Sequence, residues 1–163
     1  MTIRTRSLLR ACALLAAMAA TPALAGAPRE SLPGPVPFEV SRVHDGDSFS
    51  GEAAIWPGQR VAVSIRIRGI DTPEMRSKCA AERRMAQAAR AELARRLTAE
   101  GGVELRNIGG GKYYGRVLAD VRLADGADLA AEMLQARLAR PYGGRKRAAW
   151  CDSQGRLVPF GAD

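Results

Sequence analysis

Residues 60–68 constrain the fold more than any other stretch. Val61, Val63, Ile65 and Ile67 alternate with Arg60, Ser64, Arg66 and Arg68, and a period of two puts the apolar set on one face of a strand and the polar set on the other. This pattern predicts a barrel wall with a wet, cationic face. Gly69-Ile70-Asp71-Thr72-Pro73 then leaves the strand in a turn. Two shorter strands precede it. Phe38 to Val43 alternates apolar and polar, and Ser48 to Ile55 follows the His44-Asp45-Gly46-Asp47 turn.

Beyond Ala80 the period lengthens. Met85, Ala89, Leu93 and Leu97 recur every four residues in a segment rich in Ala, Arg and Glu, which predicts an amphipathic helix over 80–97. Val103 to Ile108 and Arg116 to Leu123 read as two further strands, Leu129 to Arg137 as a short helix, and Leu138 to Tyr142 as a last extended piece. The expected fold class is α+β, mainly β. Three strands, a helix, two strands and a helix suggest a five-stranded OB-type β-barrel, an architecture often used for oligonucleotides.

The N-terminus reads as an export signal. Arg4, Arg6 and Arg10 precede the apolar run Ala11 to Ala20, and Ala23-Leu24-Ala25 supplies a cleavage site. The run is shorter than the roughly 20 residues of a membrane span. Residues 1–25 are therefore expected to be a signal peptide and the mature protein to be periplasmic or secreted, with no membrane association. Residues 26–37, rich in Pro and Gly, read as a flexible leader. Removing Arg4, Arg6 and Arg10 from the chain's 25 basic and 17 acidic residues leaves 22 against 17, a net +5 that is mostly arginine. Such a surface attracts anionic partners. After Cys12 is lost with the signal, Cys79 and Cys151 form an even pair in an oxidising compartment. A disulfide between them would close a loop of about 70 residues and stabilise the fold by about 2–4 kcal/mol. A metal site competes with that reading, but with one histidine and no local Cys/His cluster zinc does not fit.

Three segments concentrate polar groups at strand exits. Asp45-Gly46 in Asp45-Gly46-Asp47-Ser48 is explained by a hairpin turn alone, whereas Asp47 is a further carboxylate that the turn does not need. Arg66 to Glu74 gathers two arginines and two carboxylates around one strand end. A turn at Pro73 and an acid ahead of a helix would account for part of it. Hard oxygens such as those of Asp47 and Asp71 suit Ca²⁺, and Glu74 is near enough to act on a water. Tyr113-Tyr114-Gly115-Arg116 reads alone as a hairpin with an exposed arginine, and gains weight because phosphoryl chemistry needs a second cation. The run Arg145-Lys146-Arg147 reads as a solvated surface.

Val43-His44-Asp45-Gly46-Asp47-Ser48, Arg66 through Glu74 and Tyr114-Gly115-Arg116 together resemble the three signature segments of the staphylococcal nuclease family, in the family's order. Leu138-Ala139-Arg140 resembles its stretch after the second helix. The resemblance covers roughly 38–142 and implies a nuclease domain over 38–163, in the form of an exported calcium-dependent enzyme. Such enzymes hydrolyse DNA and RNA and leave 3′-phosphate ends. Residue by residue, it implies that Asp47, Asp71 and the Thr72 carbonyl ligate Ca²⁺, with Asp45 behind them. Arg66 and Arg116 would hold the scissile phosphate, Glu74 would activate the water, and Tyr114 would lie beside the nucleotide. Ser48 replaces the usual Thr, and Tyr113 stands where a basic residue is common. The long third helix is missing or very short, and a Cys79–Cys151 link would pin the C-terminal segment in its place. A monomer is expected. The alternative is an OB module that binds nucleic acid without cleaving it.

Overall fold

The computed structural model describes residues 31–98, 102–111 and 115–160. The signal peptide, the first residues of the leader, and Tyr113 and Tyr114 lie outside the described residues. Among the described residues, eight strands and two helices follow one another: β1 (Ser31–Leu32), β2 (Val36–Val43), β3 (Ser48–Trp56), β4 (Gln59–Ile67), β5 (Ile70–Asp71), α1 (Ala80–Leu97), β6 (Val103–Gly110), β7 (Arg116–Leu123), α2 (Leu129–Gln135) and β8 (Arg140–Pro141).

β2, β3 and β4 form an antiparallel meander. β4 then pairs in parallel with β7, β7 pairs with β6, and β6 returns to β2, which closes a five-stranded barrel. This is the expected OB-type, mainly β arrangement. β1 adds to the free end of β6, and β5 pairs with β8 outside the barrel. Among the described residues no helix is long and apolar enough to cross a membrane.

The leader becomes structured sooner than its composition suggests. Ser31 and Leu32 pair with Gly109 and Ile108, Val36 and Pro37 pair with Leu105 and Glu104, and Asn107 N–H donates to the Pro33 carbonyl at 3.0 Å. Main-chain pairing along an open strand edge needs no apolar alternation, so nothing in the side chains of 31–37 announces it.

The core is filled by Phe38, Phe49, Ile65, Ile67, Leu105 and Val121 from the barrel, with Leu93, Leu97, Leu129 and Met133 from the helices. The alternation in β4 is only half used. Ile65 and Ile67 are buried, but Val61 remains 43% exposed. β7 accompanies β4 only along Ser64–Ile67, so the first half of β4 and the end of β3 project as a two-stranded hairpin with Trp56 at its tip. The face of arginines is not simply wet either. Arg60 pairs with Glu39, Arg68 with Asp120 at 3.0 Å, and Arg66 turns in between two aspartates.

α1 keeps its expected bounds and buries Ala89, Leu93 and Leu97, but Ala86 is buried in place of Met85, which is half-buried. α2 ends at Gln135, two residues early, because Arg137 takes a left-handed φ of 57° that helix geometry cannot continue. Asp128 caps it by accepting the Ala131 N–H at 3.0 Å. Cys79, just ahead of α1, is bonded to Cys151, so the expected disulfide ties the C-terminal segment to the start of that helix.

Candidate active site

The β3–β4 register places Ser48 opposite Arg66, which brings the turn before β3 alongside the end of β4. Asp47 sits in that turn with its side chain 1% exposed. Its main-chain carbonyl accepts Ile67 N–H at 2.9 Å, so the turn is fastened to β4 by backbone as well. One carboxylate oxygen accepts from Arg66 Nη1. The other accepts from both the N–H and the hydroxyl of Thr72, at 3.0 and 2.9 Å. Burial pushes the Asp47 carboxyl up, to about 7, against the opposing pull of Arg66.

Asp45 lies beside it. Burial opposes its ionisation, but donors from Ser48 Oγ at 2.5 Å and Asp47 N–H at 3.1 Å outweigh that and leave its pKa lowered. Asp45 thus orients the turn by accepting hydrogen bonds from Ser48 and Asp47.

Asp71 is carried in by β5, whose partner β8 places Arg140 opposite it. Arg66 bridges the two aspartates, with Nη2 at 3.5 Å from Asp71 Oδ1 and at 3.3 Å from the Ile70 carbonyl. Asp71 Oδ1 also accepts from Arg147 Nε at 2.7 Å, and Oδ2 from Trp150 Nε1 at 3.2 Å. Arg147 goes further, donating from Nη2 to the Thr72 carbonyl at 2.7 Å and from Nη1 to Glu74 Oε2 at 3.4 Å. Burial works against the charge on Arg147, but the Asp71 carboxylate and the bond to it, then Glu74, outweigh this and hold its pKa above the ordinary value. Glu74 itself is exposed. Arg116 begins β7 opposite Ser64. It faces the same groove of about 770 Å³ that Asp45, Arg66, Glu74, Tyr142 and Arg147 line.

The structure therefore brings Asp45, Arg66, Glu74 and Arg116 to one groove, with Asp47, Asp71 and Thr72 buried behind it, the two aspartates held by Arg66 and Thr72 bonded to Asp47. Tyr114 lies outside the described residues. Sequence reasoning missed three contributors. Arg147, read as solvated surface, is an integral partner of Asp71, because the C-terminal segment folds back over β5. Trp150 supplies the second donor to Asp71. Glu82 turns a carboxylate inward from the first turn of α1, accepting from Glu74 N–H at 2.9 Å and Ser77 Oγ at 2.5 Å, and so shapes the loop that carries Glu74. An acid in a first helical turn is a weak signal for this, since the helix dipole explains it as well. For Arg147 and Trp150 the local sequence offers none.

Among the described residues, no group of three or more His, Cys, Asp and Glu side chains gathers as a ready-made metal cage. The Asp71 carboxylate, the Thr72 carbonyl and the Glu74 carboxylate do converge on one cationic group, the Arg147 guanidinium. Hard oxygens held around a single positive charge are the donor chemistry that suits a divalent cation such as Ca²⁺.

A closed five-stranded barrel with two helices, mainly β, and with carboxylates and arginines meeting at one groove defines an OB-type protein. The family described as Staphylococcal nuclease homologue matches residues 64–154, more than half of the chain, and the chain belongs to that family. No curated protein matches it.

Proposed function

We propose that the protein is an exported, calcium-dependent nuclease that hydrolyses DNA and RNA to 3′-phosphate ends. The meeting of Arg66, Glu74 and Arg116 at one groove of a staphylococcal nuclease-type barrel, with Asp47 and Asp71 held against Arg66 behind it, carries the reading. Export rests on the arginine-flanked apolar run at 1–25. The mature protein would act as a monomer.

In this reading the scissile phosphate enters the groove between Arg66 and Arg116, whose guanidinium groups bind its oxygens and offset charge as it develops. Glu74 takes a proton from water as its oxygen bonds to phosphorus. The bond from phosphorus to the 5′ oxygen breaks, that oxygen gains a proton, and the product keeps a 3′-phosphate. Asp47, Asp71 and the Thr72 carbonyl would hold Ca²⁺, which when bound neutralises charge on a phosphate oxygen. Tyr114 would contact the nucleotide, and Asp45 would keep Asp47 in place.

A second reading has one observation in its favour. Arg147 engages both Asp71 and Glu74, as it would in an OB module that binds nucleic acid without cleaving it. Incubating single-stranded DNA with the protein in calcium, and then in excess chelator, separates the two. Calcium-dependent cleavage to 3′-phosphate ends is expected. Retained binding without cleavage under either condition would replace the enzyme with the module.

A further inference from the structure

The segment after β8 is anchored at both ends of a short exposed span. On one side, Tyr142 N–H donates to the Gly69 carbonyl at 2.8 Å and its hydroxyl donates to the Arg145 carbonyl at 2.6 Å. On the other, Trp150 is buried and Cys151 is bonded to Cys79. Arg140 fastens this second anchor. Its guanidinium lies 4.1 Å from the Trp150 ring centre and 5.3 Å from that of Phe160, and it donates to the carbonyls of Ala149 at 3.0 Å and Val158 at 2.6 Å. Between the anchors, residues 143–149 are exposed.

Arg147 is the residue of that span that reaches inward. Its three guanidinium nitrogens each meet a different oxygen of the Asp71–Glu74 turn: Nε the Asp71 carboxylate, Nη2 the Thr72 carbonyl and Nη1 the Glu74 carboxylate. A single cation therefore already engages two of the three groups proposed to hold a divalent ion, the Asp71 carboxylate and the Thr72 carbonyl, together with the neighbouring Glu74 carboxylate. The arginine belongs to the exposed span, with its side chain 42% exposed, so it can leave without disturbing either anchor.

We infer that Arg147 is a tethered competitor for the divalent-cation position, occupying the Asp71 carboxylate and Thr72 carbonyl proposed to hold the ion until an incoming ion displaces it. The inference rests on the calcium reading above and adds the element that sets the ion's affinity. Because the arginine is part of the chain, its local concentration is fixed by the two anchors. A docked state held by about nine molecules in ten weakens the apparent affinity of a displacing ion roughly tenfold. Ion entry would also push a positive side chain out into the groove that receives the phosphate.

The test is a Ca²⁺ titration by calorimetry on the oxidised protein, on Arg147→Gln and on Arg147→Lys, each first shown to melt cooperatively in chelator. Arg147→Gln is expected to bind Ca²⁺ about tenfold tighter or more. Arg147→Lys, which keeps the charge but loses the fork that reaches three oxygens, should fall between. Measurable binding by the unaltered protein with no gain in Arg147→Gln overturns the competitor and leaves the calcium reading standing. No binding by any of the three overturns both. If Arg147→Gln does not fold, Arg147→Lys decides alone: a tighter Kd supports the competitor, and an equal or weaker one overturns it.

Discussion

Gly46 shows how little room surrounds the acidic turn. A Cβ there would stand 2.7 Å from the Cβ of Ala89 on α1 and 2.9 Å from that of Thr72, both closer than carbon atoms approach. The glycine is therefore required for packing, beyond the turn chemistry that Asp-Gly suggests. Gly46→Ala must push α1 away or shift the turn that holds Asp47, and should cost about 1–3 kcal/mol, the usual range for an overpacked site. Urea denaturation measures it, and an unchanged midpoint would mean that Thr72 and Ala89 can yield. Glu74 is the opposite case, an exposed side chain whose removal should leave stability alone. Glu74→Gln is expected to lower kcat on DNA by about 10²–10⁴, the contribution usual for general acid–base groups, with DNA affinity little changed. Arg66→Ala or Arg116→Ala should cost as much or more, since each is a positioned charge. Near-normal turnover in single-turnover assays of any of the three would remove its assigned role.

At the level of elements, α1 and α2 are joined by charge at their outer surface. Glu92 accepts from Arg95 and Arg96, and Arg96 continues to Glu132 on α2. The hydrogen bond from Arg95, and then that from Arg96, lowers the Glu92 carboxyl from 4.5 to about 2. A carboxyl depressed in the folded state stabilises it above the unfolded pKa, and that stabilisation is lost as pH falls from 4.5 towards 2. Glu92→Gln should therefore flatten the acid-side loss of stability over that window. At neutral pH it should cost less than about 1 kcal/mol, because Arg95 is largely in solvent. Parallel stability–pH curves for the two proteins would count against the pairing. Elements were the most legible level of this chain, because strand alternation and helical spacing are local: α1 and β7 have the bounds their residues suggest. The paired acids and arginines of the site were legible for a related reason, since each sits at the end of such an element. Contacts across the chain were not. Thr72 and Arg147 are 75 residues apart and Asp71 and Trp150 are 79 apart, and nothing in Arg145-Lys146-Arg147 distinguishes a site arginine from a solvated one. Val61 looked like core for the converse reason, because alternation reports two faces of a strand without saying where its neighbour ends.

For the molecule as a whole, the question is whether the C-terminal segment is part of the barrel's cooperative unit or a strap fastened to it. The disulfide spans 72 residues and joins the start of α1 to the segment that carries Trp150. Such a cross-link acts chiefly by restricting the unfolded chain and contributes about 2–4 kcal/mol. Cys151→Ser should accordingly melt at lower temperature, and reductant should lower the melting temperature of the unaltered protein but not that of the variant. Equal melting with and without reductant would show that the bond contributes nothing to stability. The two tryptophans then resolve which part yields first. Trp56 is 73% exposed at the hairpin tip whereas Trp150 is 3% exposed, so a shift of emission to the red on unfolding reports Trp150. Without the disulfide, the segment is held by the Arg140 stack, the bond from Trp150 to Asp71 and the Arg147 contacts, which are few beside the barrel's continuous ladders and apolar core. The Trp150 signal of Cys151→Ser is therefore expected to change at lower urea than the far-ultraviolet dichroism of the strands. Coincident transitions would mean that the stack and the Asp71 bond couple the segment to the core as firmly as the barrel strands are coupled to one another. In that case Arg147 would be positioned over the acids by the fold itself, with the disulfide adding stability but not placement.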